Sequence, residues 1–225
     1  MRVLKTKHFV VSISLFSLFV FAVLLSERSN RALTIGDFPA RAASFQPTQT
    51  LNNLQIAFDG ESNAEARYLA FAEKAEAEGY GKVASLFRAA SRAEAIHARN
   101  HSEVIRRLGG TPTANVKPPE VKGTAENLDA AIKGESYERD VMYPDFLRQA
   151  RADGTREALR TFNLARNAET EHAKLYSDAR NDLETWKVDK QTFYVCPVCG
   201  FTTANLNFER CPSSATPRER FLIIN

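Results

Sequence analysis

The chain contains one helical pattern twice. The segments "GESNAEARY" and "GESYERDVMY" each place a tyrosine about two helical turns after a Gly-Glu-Ser triplet. A Glu-x-x-His pair, written "EAIH" in the first copy and "ETEH" in the second, follows 33 residues after Glu61 and 34 residues after Glu135. The chain is therefore an internal repeat of a two-helix unit, and we expect both copies to give equivalent side chains to one core.

Residues 46 to 183 are predicted to form four helices, joined by two short loops and one longer Pro-rich crossover. Glycines at positions 79, 109, 110 and 154 mark the ends of the first three helices. Pro144 lies inside the third helix and is expected to kink it. The predicted helices span about residues 47–78, 82–108, 124–154 and 155–183. Two short-loop pairs with one long crossover indicate a ferritin-like bundle rather than a simple up-down bundle.

Carboxylates interrupt the apolar stripe of each helix at mid-height, and in two of the helices a histidine does so as well. Residues on such a stripe face the core of a bundle. A buried ionised carboxylate is costly unless it is paired or binds a metal, and the stripes offer only Arg139 as a marginal cationic partner. Two divalent or trivalent cations would neutralise the set. The candidate ligands are Glu61, Glu94, His97, Glu135, Glu138, Glu169 and His172.

The donor types indicate which metals would bind. A Glu-x-x-His pair places both side chains on one helix face, one turn apart, where they can chelate a single ion. Carboxylates with two imidazoles suit two Fe, or Mn, and the absence of thiolate argues against structural zinc. The two halves differ at one position, because Glu138 follows Glu135 by three residues whereas Ala64 follows Glu61. One metal therefore has an additional carboxylate available.

The N-terminus predicts export. Basic residues precede the uncharged run from Phe9 to Leu25, which is either a signal peptide or a membrane anchor. Ala40-Arg41-Ala42 resembles a cleavage site, although it lies far from the run. Both alternatives keep the basic flank inside and place the rest in the periplasm or an equivalent extracytoplasmic compartment. The predicted domains are a leader with linker (residues 1–44), the bundle (45–184) and a small C-terminal module (185–225).

All three cysteines lie within sixteen residues near the C-terminus. Three cysteines are too few for a disulfide scaffold, and their clustering suggests a metal knuckle. The net charge of +3 is too small to indicate a nucleic-acid partner, and we expect none.

The four-helix portion resembles rubrerythrin, a ferritin-like di-iron family, in "GES…ARY", "AEAIHA", "GESYERDVMYPDF" and "AETEHAKLY". The resemblance covers about residues 50 to 225. It implies an all-α ferritin-like four-helix bundle with a small rubredoxin-like β module, following the hydrophobic leader, and it places all seven candidate ligands at family ligand positions.

The resemblance also implies roles for individual residues. Glu138 would be a switchable ligand, since one iron of the family moves between the histidine matching His97 and this glutamate as its oxidation state changes. Tyr68 and Tyr143 match tyrosines that lie beside the di-iron centre. The family reduces hydrogen peroxide to water, with two ferrous ions supplying two electrons.

The C-terminal segment "YVCPVCGFTTANLNFERCPSSA" resembles the family's rubredoxin-like knuckle, which holds one iron on four cysteines. Cys196, Cys199 and Cys211 match three of these ligands, and Ser214 stands at the fourth position. Serine is a harder ligand than cysteine and should lower the iron potential. Three outcomes stay open: an iron site with three thiolates and one serine, a zinc-bound or metal-free structural knuckle, or a disulfide formed in an oxidising compartment.

Two functions compete on this pattern. One is a peroxidase acting on hydrogen peroxide with an unidentified electron-donor protein, and Glu138 favours it. The other is a ferroxidase or iron-binding protein that uses oxygen and lacks multiple turnover, which Ser214 favours. A purely structural role is disfavoured because seven ligand positions agree. We also expect a homodimer, and we predict that His101, one turn beyond His97, is a hydrogen-bonded neighbour of the cluster rather than a ligand.

Overall fold

Four helical segments form a bundle, and a small antiparallel sheet follows it. The computed structural model describes residues 48–187 and 189–225, so the predicted leader lies outside the described residues. Within those ranges, no helix combines the length and apolar character that a membrane crossing requires. The α-helices are α1 (Gln49–Ala77), α2 (Gly81–Arg107), α3 (Thr124–Tyr137), α4 (Tyr143–Ala152) and α5 (Arg156–Asn181).

The third segment of the bundle is not one continuous α-helix. A π-helical turn, Glu138–Met142, joins α3 to α4, and Pro144 lies in the first turn of α4. The predicted interruption near Pro144 therefore takes the form of a π turn just before the proline. A π turn accommodates one additional residue. It explains why Tyr143 follows Glu135 by eight residues whereas Tyr68 follows Glu61 by seven.

Glu78 ties the end of α1 to the start of α3. Its carboxylate accepts hydrogen bonds from the backbone N–H of Thr124 at 2.8 Å and from the Thr124 hydroxyl at 2.6 Å. Backbone N–H groups in the first turn of a helix have no partner within the helix, so the contact caps α3. It joins the two repeats at the end of the crossover.

Two apolar clusters fill the bundle, one on each side of a polar layer. One cluster contains Phe71, Phe87 and Tyr176, and the other contains Leu54 and Phe162. Along α1, α2 and α5, and along α3 continued into α4, the candidate glutamates and histidines of the cluster lie between residues of these two clusters. The polar layer is therefore sealed by apolar side chains above and below.

The C-terminal module is a three-stranded antiparallel sheet with strand order β2-β1-β3. The strands are β1 (Phe193–Val195), β2 (Thr202–Thr203) and β3 (Leu222–Ile224), and short 3-10 turns lie at Leu183–Trp186 and Arg218–Arg220. Phe193 and Val195 are buried in the same apolar cluster as Phe87, so the module packs against the bundle. The predicted fold class, a helical ferritin-like bundle with a small β module, is confirmed.

Candidate metal centre

Six of the seven predicted ligands meet in one cluster at the centre of the bundle. Two groups share Glu94 and Glu169, and within each group the candidate ligand atoms lie within 4.8 Å of one another. The first group adds Glu61 and His97, and the second adds Glu135 and His172. Each repeat thus contributes one Glu-x-x-His pair and one further glutamate, as the internal repeat predicts.

The cluster is buried and its candidate ligand atoms converge. All six side chains are at most 1 % exposed. Nδ1 of His97 lies 2.8 Å from Glu94 and 3.0 Å from Glu169, and Nδ1 of His172 lies 2.8 Å from Glu169. Glu94 and Glu169 belong to both groups, so each would be available as a ligand to both metal ions.

Orphaned buried atoms show that this set fits metal ions. Buried polar atoms are normally hydrogen-bonded, and an unpaired one is costly. Several candidate metal-ligand atoms of the cluster nevertheless have no hydrogen-bond partner: Glu61 Oε2, Glu94 Oε1, Glu135 Oε2, both carboxylate oxygens of Glu169, and Nδ1 of His172. Nδ1 of His172 lies 2.8 Å from Glu169 but does not form a hydrogen bond with it. Two cations with carboxylate and imidazole ligands satisfy these atoms together.

Protons compete with metal for the cluster. Burial and the neighbouring carboxylates Glu169 and Glu61 raise the pKa of Glu94 to about 7. Burial, followed by the carboxylates Glu169 and Glu94, also raises the pKa of Glu135. Burial opposes the charged form of His97, but Glu169 and Glu94 outweigh it and raise its pKa well above the usual value. Metal binding must therefore release protons from the cluster.

The rubredoxin-like module supplies the outer partners of both histidines. Nε2 of His97 donates to the backbone oxygen of Cys199 at 3.0 Å, and Nε2 of His172 lies 3.0 Å from the hydroxyl of Thr202. A carbonyl oxygen can only accept, so His97 carries a proton on Nε2 and turns Nδ1 toward the carboxylates. Such outer hydrogen bonds fix the tautomer and orientation of a ligating imidazole.

Gly200 permits this contact between the module and the bundle. A Cβ atom at this position would lie 2.3 Å from Nε2 of His97, and the backbone has φ +75°. Glycine adopts this left-handed conformation without steric cost. Only glycine therefore lets the "CPVCG" turn lie directly on the imidazole.

Two tyrosines cross-link the repeats at the cluster. Tyr68, from the first repeat, donates to Oε1 of Glu135 at 2.5 Å. Tyr143, from the second repeat, donates to Oε1 of Glu61. Both tyrosines are at most 3 % exposed. The predicted tyrosines thus lie beside the cluster, each holding a glutamate of the other repeat.

Glu138 lies outside both groups. It is the first residue of the π turn and is half-buried. Burial and the nearby carboxylates Glu61 and Glu135 raise the pKa of Glu138 well above its usual value. Its role as a switchable ligand stays a prediction. Arg139, the marginal cationic partner, instead pairs with Asp140 at the surface.

His101 occupies the edge of the cluster and is fully buried. Its Nε2 lies 3.1 Å from the Tyr143 hydroxyl, and its Nδ1 lies 3.0 Å from the Thr161 hydroxyl. It belongs to neither ligand group. The structure places it as predicted, hydrogen-bonded beside the cluster.

The cysteine knuckle is a second candidate metal site. Cys196, Cys199 and Cys211 are free, buried, and within 4.8 Å of one another at their sulfur atoms. The Ser214 hydroxyl lies 3.2 Å from the sulfur of Cys196 and 2.8 Å from the hydroxyl of Thr216. Three thiols and one hydroxyl therefore surround one point, and no disulfide joins them.

The bundle with its paired Glu/His groups defines a ferritin-like protein with a two-metal centre. The rubrerythrin family model matches residues 52–180. Rubrerythrin-2 of Clostridium acetobutylicum is 38% identical over 182 residues, covering 79% of this chain and 98% of the relative. Nigerythrin of Nitratidesulfovibrio vulgaris is 38% identical over 173 residues, covering 76% of this chain and 85% of the relative.

Solved structures agree with this relationship. Nigerythrin in its fully reduced, all-ferrous state superposes with a TM-score of 0.72 at 32% identity, covering 90% of this chain and all of that one. Bacterioferritin of Desulfovibrio desulfuricans, at 22% identity and a TM-score of 0.57 over 61% of this chain and 81% of its own, shares the fold. The chain belongs to the rubrerythrin family of di-iron oxidoreductases.

Gly200, Thr202 and Thr161 were not predicted from the sequence. The glycine after "CPVC" indicates only a turn, and nothing local shows that the turn rests on His97. Thr161 is a polar residue beside the inward stripe of α5, and its comparison with the equivalent position of α2 could have revealed it.

Proposed function

We propose that this chain reduces hydrogen peroxide to water at the Glu/His cluster, and that it does so after export. The observation that supports the reaction most strongly is the pair of ligand groups sharing Glu94 and Glu169, with carboxylate oxygens that have no protein partner. When two ferrous ions are bound there, they supply the two electrons that one peroxide takes up.

The protein side chains hold the site ready for this reaction. Glu94, Glu169 and the two imidazoles would hold the ions, while Tyr68 and Tyr143 orient Glu135 and Glu61 by hydrogen bonds. Glu138 is proposed to join the first group when the centre is oxidised, because an added carboxylate balances the added positive charge. Apolar clusters on both sides exclude water from the reacting region.

Electrons are proposed to reach the cluster through the cysteine knuckle. The backbone of Cys199 contacts His97 directly, which gives one short path from a knuckle metal to a bundle ligand. An external donor protein is proposed to reduce the knuckle, and a homodimer is proposed as the functional unit. Export to the periplasm or an equivalent compartment is supported by the apolar run at residues 9–25.

A second function is a ferroxidase or iron-binding activity with oxygen as oxidant. Ser214 favours it, because a knuckle with only three thiolates would be a weak electron source for repeated turnover.

Anaerobic stopped-flow mixing distinguishes the two functions. Iron-reconstituted, reduced protein is mixed with hydrogen peroxide or with oxygen, and oxidation of the bundle iron is followed. The peroxidase assignment predicts oxidation of two ferrous ions per peroxide and a faster reaction with peroxide than with oxygen. A faster reaction with oxygen than with peroxide would favour the ferroxidase. No oxidation by either peroxide or oxygen would exclude both functions.

A further inference from the structure

A hydrogen-bonded chain leads from the metal cluster toward the surface through buried side chains. Tyr143 donates to Oε1 of Glu61, and Nε2 of His101 lies 3.1 Å from the Tyr143 hydroxyl. On the other side of the ring, Nδ1 of His101 lies 3.0 Å from the hydroxyl of Thr161. These four residues are at most 5 % exposed. The contacts form a continuous path to the carboxylate of Glu61, whose Oε1 also lies 3.8 Å from Nε2 of His101.

The polarity of the path is consistent along its length. The Tyr143 proton points to Glu61, which leaves the Tyr143 oxygen to accept a bond from Nε2–H of His101. Nδ1 of His101 is then unprotonated and accepts a bond from the Thr161 hydroxyl. The Thr161 oxygen keeps a lone pair for a water molecule. Each group therefore accepts from the outer side and donates toward the cluster.

The outer end of the path lies in the wall of a surface groove. Thr161 lines a cavity of about 240 Å³ that lies between α2, α5 and the knuckle. The cavity walls also carry the polar side chains of Asn100, Glu103, Arg107, Glu157 and Arg160. The groove is open to solvent, so water can reach its wall beside Thr161.

The second ligand group, whose Glu135 accepts a hydrogen bond from Tyr68, lacks such a path among the described residues. Four pairs of positions are equivalent in the two repeats, because the two members of each pair are separated by the same number of residues. The pairs are Glu94 and Glu169, His97 and His172, His101 and Tyr176, and Leu86 and Thr161. Tyr176 replaces the histidine, and its hydroxyl is buried without a hydrogen-bond partner. Leu86 replaces the threonine and is fully buried in the same apolar cluster as Tyr176. Tyr68 therefore packs against the aromatic rings of Phe87 and Tyr176, whereas Tyr143 is hydrogen-bonded to His101 on the equivalent side.

We propose that Thr161, His101 and Tyr143 form a proton relay from the groove to Glu61. This inference rests on the proposed peroxide reduction, which consumes two protons and two electrons for each peroxide converted to two waters. In one relay event, a groove water gives a proton to Thr161, whose own proton passes to Nδ1 of His101. The Nε2 proton passes to Tyr143, the Tyr143 proton passes to Glu61, and Glu61 passes a proton on to an oxygen of the peroxide undergoing reduction. The hydroxide left in the groove takes a proton from bulk solvent. Hydroxyl rotation and a tautomer change of His101 then restore the path.

Matched substitutions at the outer end test the relay in the iron-loaded full chain. Thr161→Val keeps the side-chain shape but removes the hydroxyl, whereas Thr161→Ser keeps the hydroxyl. We expect Thr161→Val to slow peroxide-driven oxidation by about a hundredfold, the lower end of the range for general acid–base catalysis. The ratio of rates in light and heavy water should also change. Thr161→Ser should retain both the rate and the isotope effect of the wild type.

His101→Gln separates proton transfer from simple positioning. Glutamine can hydrogen-bond both Tyr143 and Thr161, but its amide does not exchange protons between its two ends as an imidazole does. A relay predicts a slow variant with the iron content of the wild type. Wild-type rates in Thr161→Val and His101→Gln would overturn the relay and leave only a structural role.

Nitrogen NMR of histidine-labelled protein provides a readout that does not depend on activity. In the zinc-loaded, diamagnetic protein, the relay predicts that His101 carries its proton on Nε2 and that Nδ1 is unprotonated. A proton on Nδ1 would break the path at Tyr143 and overturn the relay. Failure of the wild type to react with peroxide would instead refute the proposed function, while the tautomer would still decide the relay.

Discussion

The backbone oxygen of Cys199 accepts a hydrogen bond from Nε2 of His97 at 3.0 Å. This one contact joins a residue of the cysteine knuckle to a residue of the Glu/His cluster within a single chain. Asn100 and Arg99 reinforce it from the same helix, donating to the backbone oxygens of Val198 and Pro197. The knuckle is thus held on α2 at the turn where that helix reaches the cluster.

The first prediction concerns Gly200. Gly200→Ala would place a Cβ atom 2.3 Å from Nε2 of His97, so the turn must move away from the imidazole. We expect the rate at which an external donor reduces the bundle iron to fall by about tenfold or more. A tenfold fall corresponds to an increase of about 1.4 kcal/mol in the barrier. The measurement is stopped-flow reduction of the oxidised protein.

Gly79→Ala is the matched control. Gly79 has φ +83°, and a Cβ atom at this position would have no neighbouring atom within 4 Å. Alanine there carries the same backbone cost of about 1–2 kcal/mol without touching His97. Both variants should be less stable than the wild type, and only Gly200→Ala should show slower reduction of the bundle iron. Equal reduction rates would contradict a role for this contact in electron delivery.

The second prediction concerns the missing fourth cysteine. Ser214→Cys should create a four-thiolate site with the visible absorption of ferric thiolate and a higher potential, because a soft ligand stabilises ferrous iron. Reduction of the bundle by an external donor should then become faster. Ser213→Cys, one residue away, is the control. Fast multiple turnover by the wild type, unchanged in Ser214→Cys, would show that serine does not limit the knuckle.

The third prediction concerns the additional carboxylate of the second repeat. Glu138→Ala should leave most iron bound, because Glu138 lies outside both ligand groups, but it should impair the oxidised state and peroxide turnover. Glu61→Ala removes a member of the first group and should lower the iron content itself. Metal analysis and turnover are measured on both variants. If the two variants cannot be distinguished, the ligand-switch hypothesis is wrong.

The sequence predicted the cluster because helical periodicity placed its ligands on inward stripes. Glu94 and His97 fall on one face by spacing alone, and the repeat supplied their partners Glu169 and His172. The position of the knuckle on His97 could not be predicted, since it depends on contacts between residues about a hundred positions apart. The π turn was also missed, because one additional residue before Tyr143 changes the spacing without changing the apolar pattern.

The fourth prediction concerns Glu78, which holds α3 onto α1. Hydrogen bonds from Thr124 and Lys74 lower the pKa of this carboxyl to about 2. Because the folded pKa lies below the usual 4.5, the contribution to stability is fully present above pH 4.5 and is lost as the pH falls toward 2. Glu78→Gln should lower Tm by roughly 2–4 °C at neutral pH and much less near pH 2.

Thermal unfolding of the metal-free protein across this pH range measures the effect. Glu73→Gln, an exposed glutamate on the same helix, is the control and should leave Tm unchanged. A constant difference between Glu78→Gln and the wild type at all pH values would contradict the linkage.

The most direct test of the account is the number and type of irons bound by the full chain. Mössbauer spectroscopy of protein reconstituted with isotopically enriched iron separates iron on oxygen and nitrogen ligands from iron on thiolates. The account predicts two irons per chain with oxygen and nitrogen ligands, both lost in Glu94→Ala. Fewer than about one such iron per chain, or iron confined to the thiolate signal, would contradict the assignment of the Glu/His cluster as a di-iron centre.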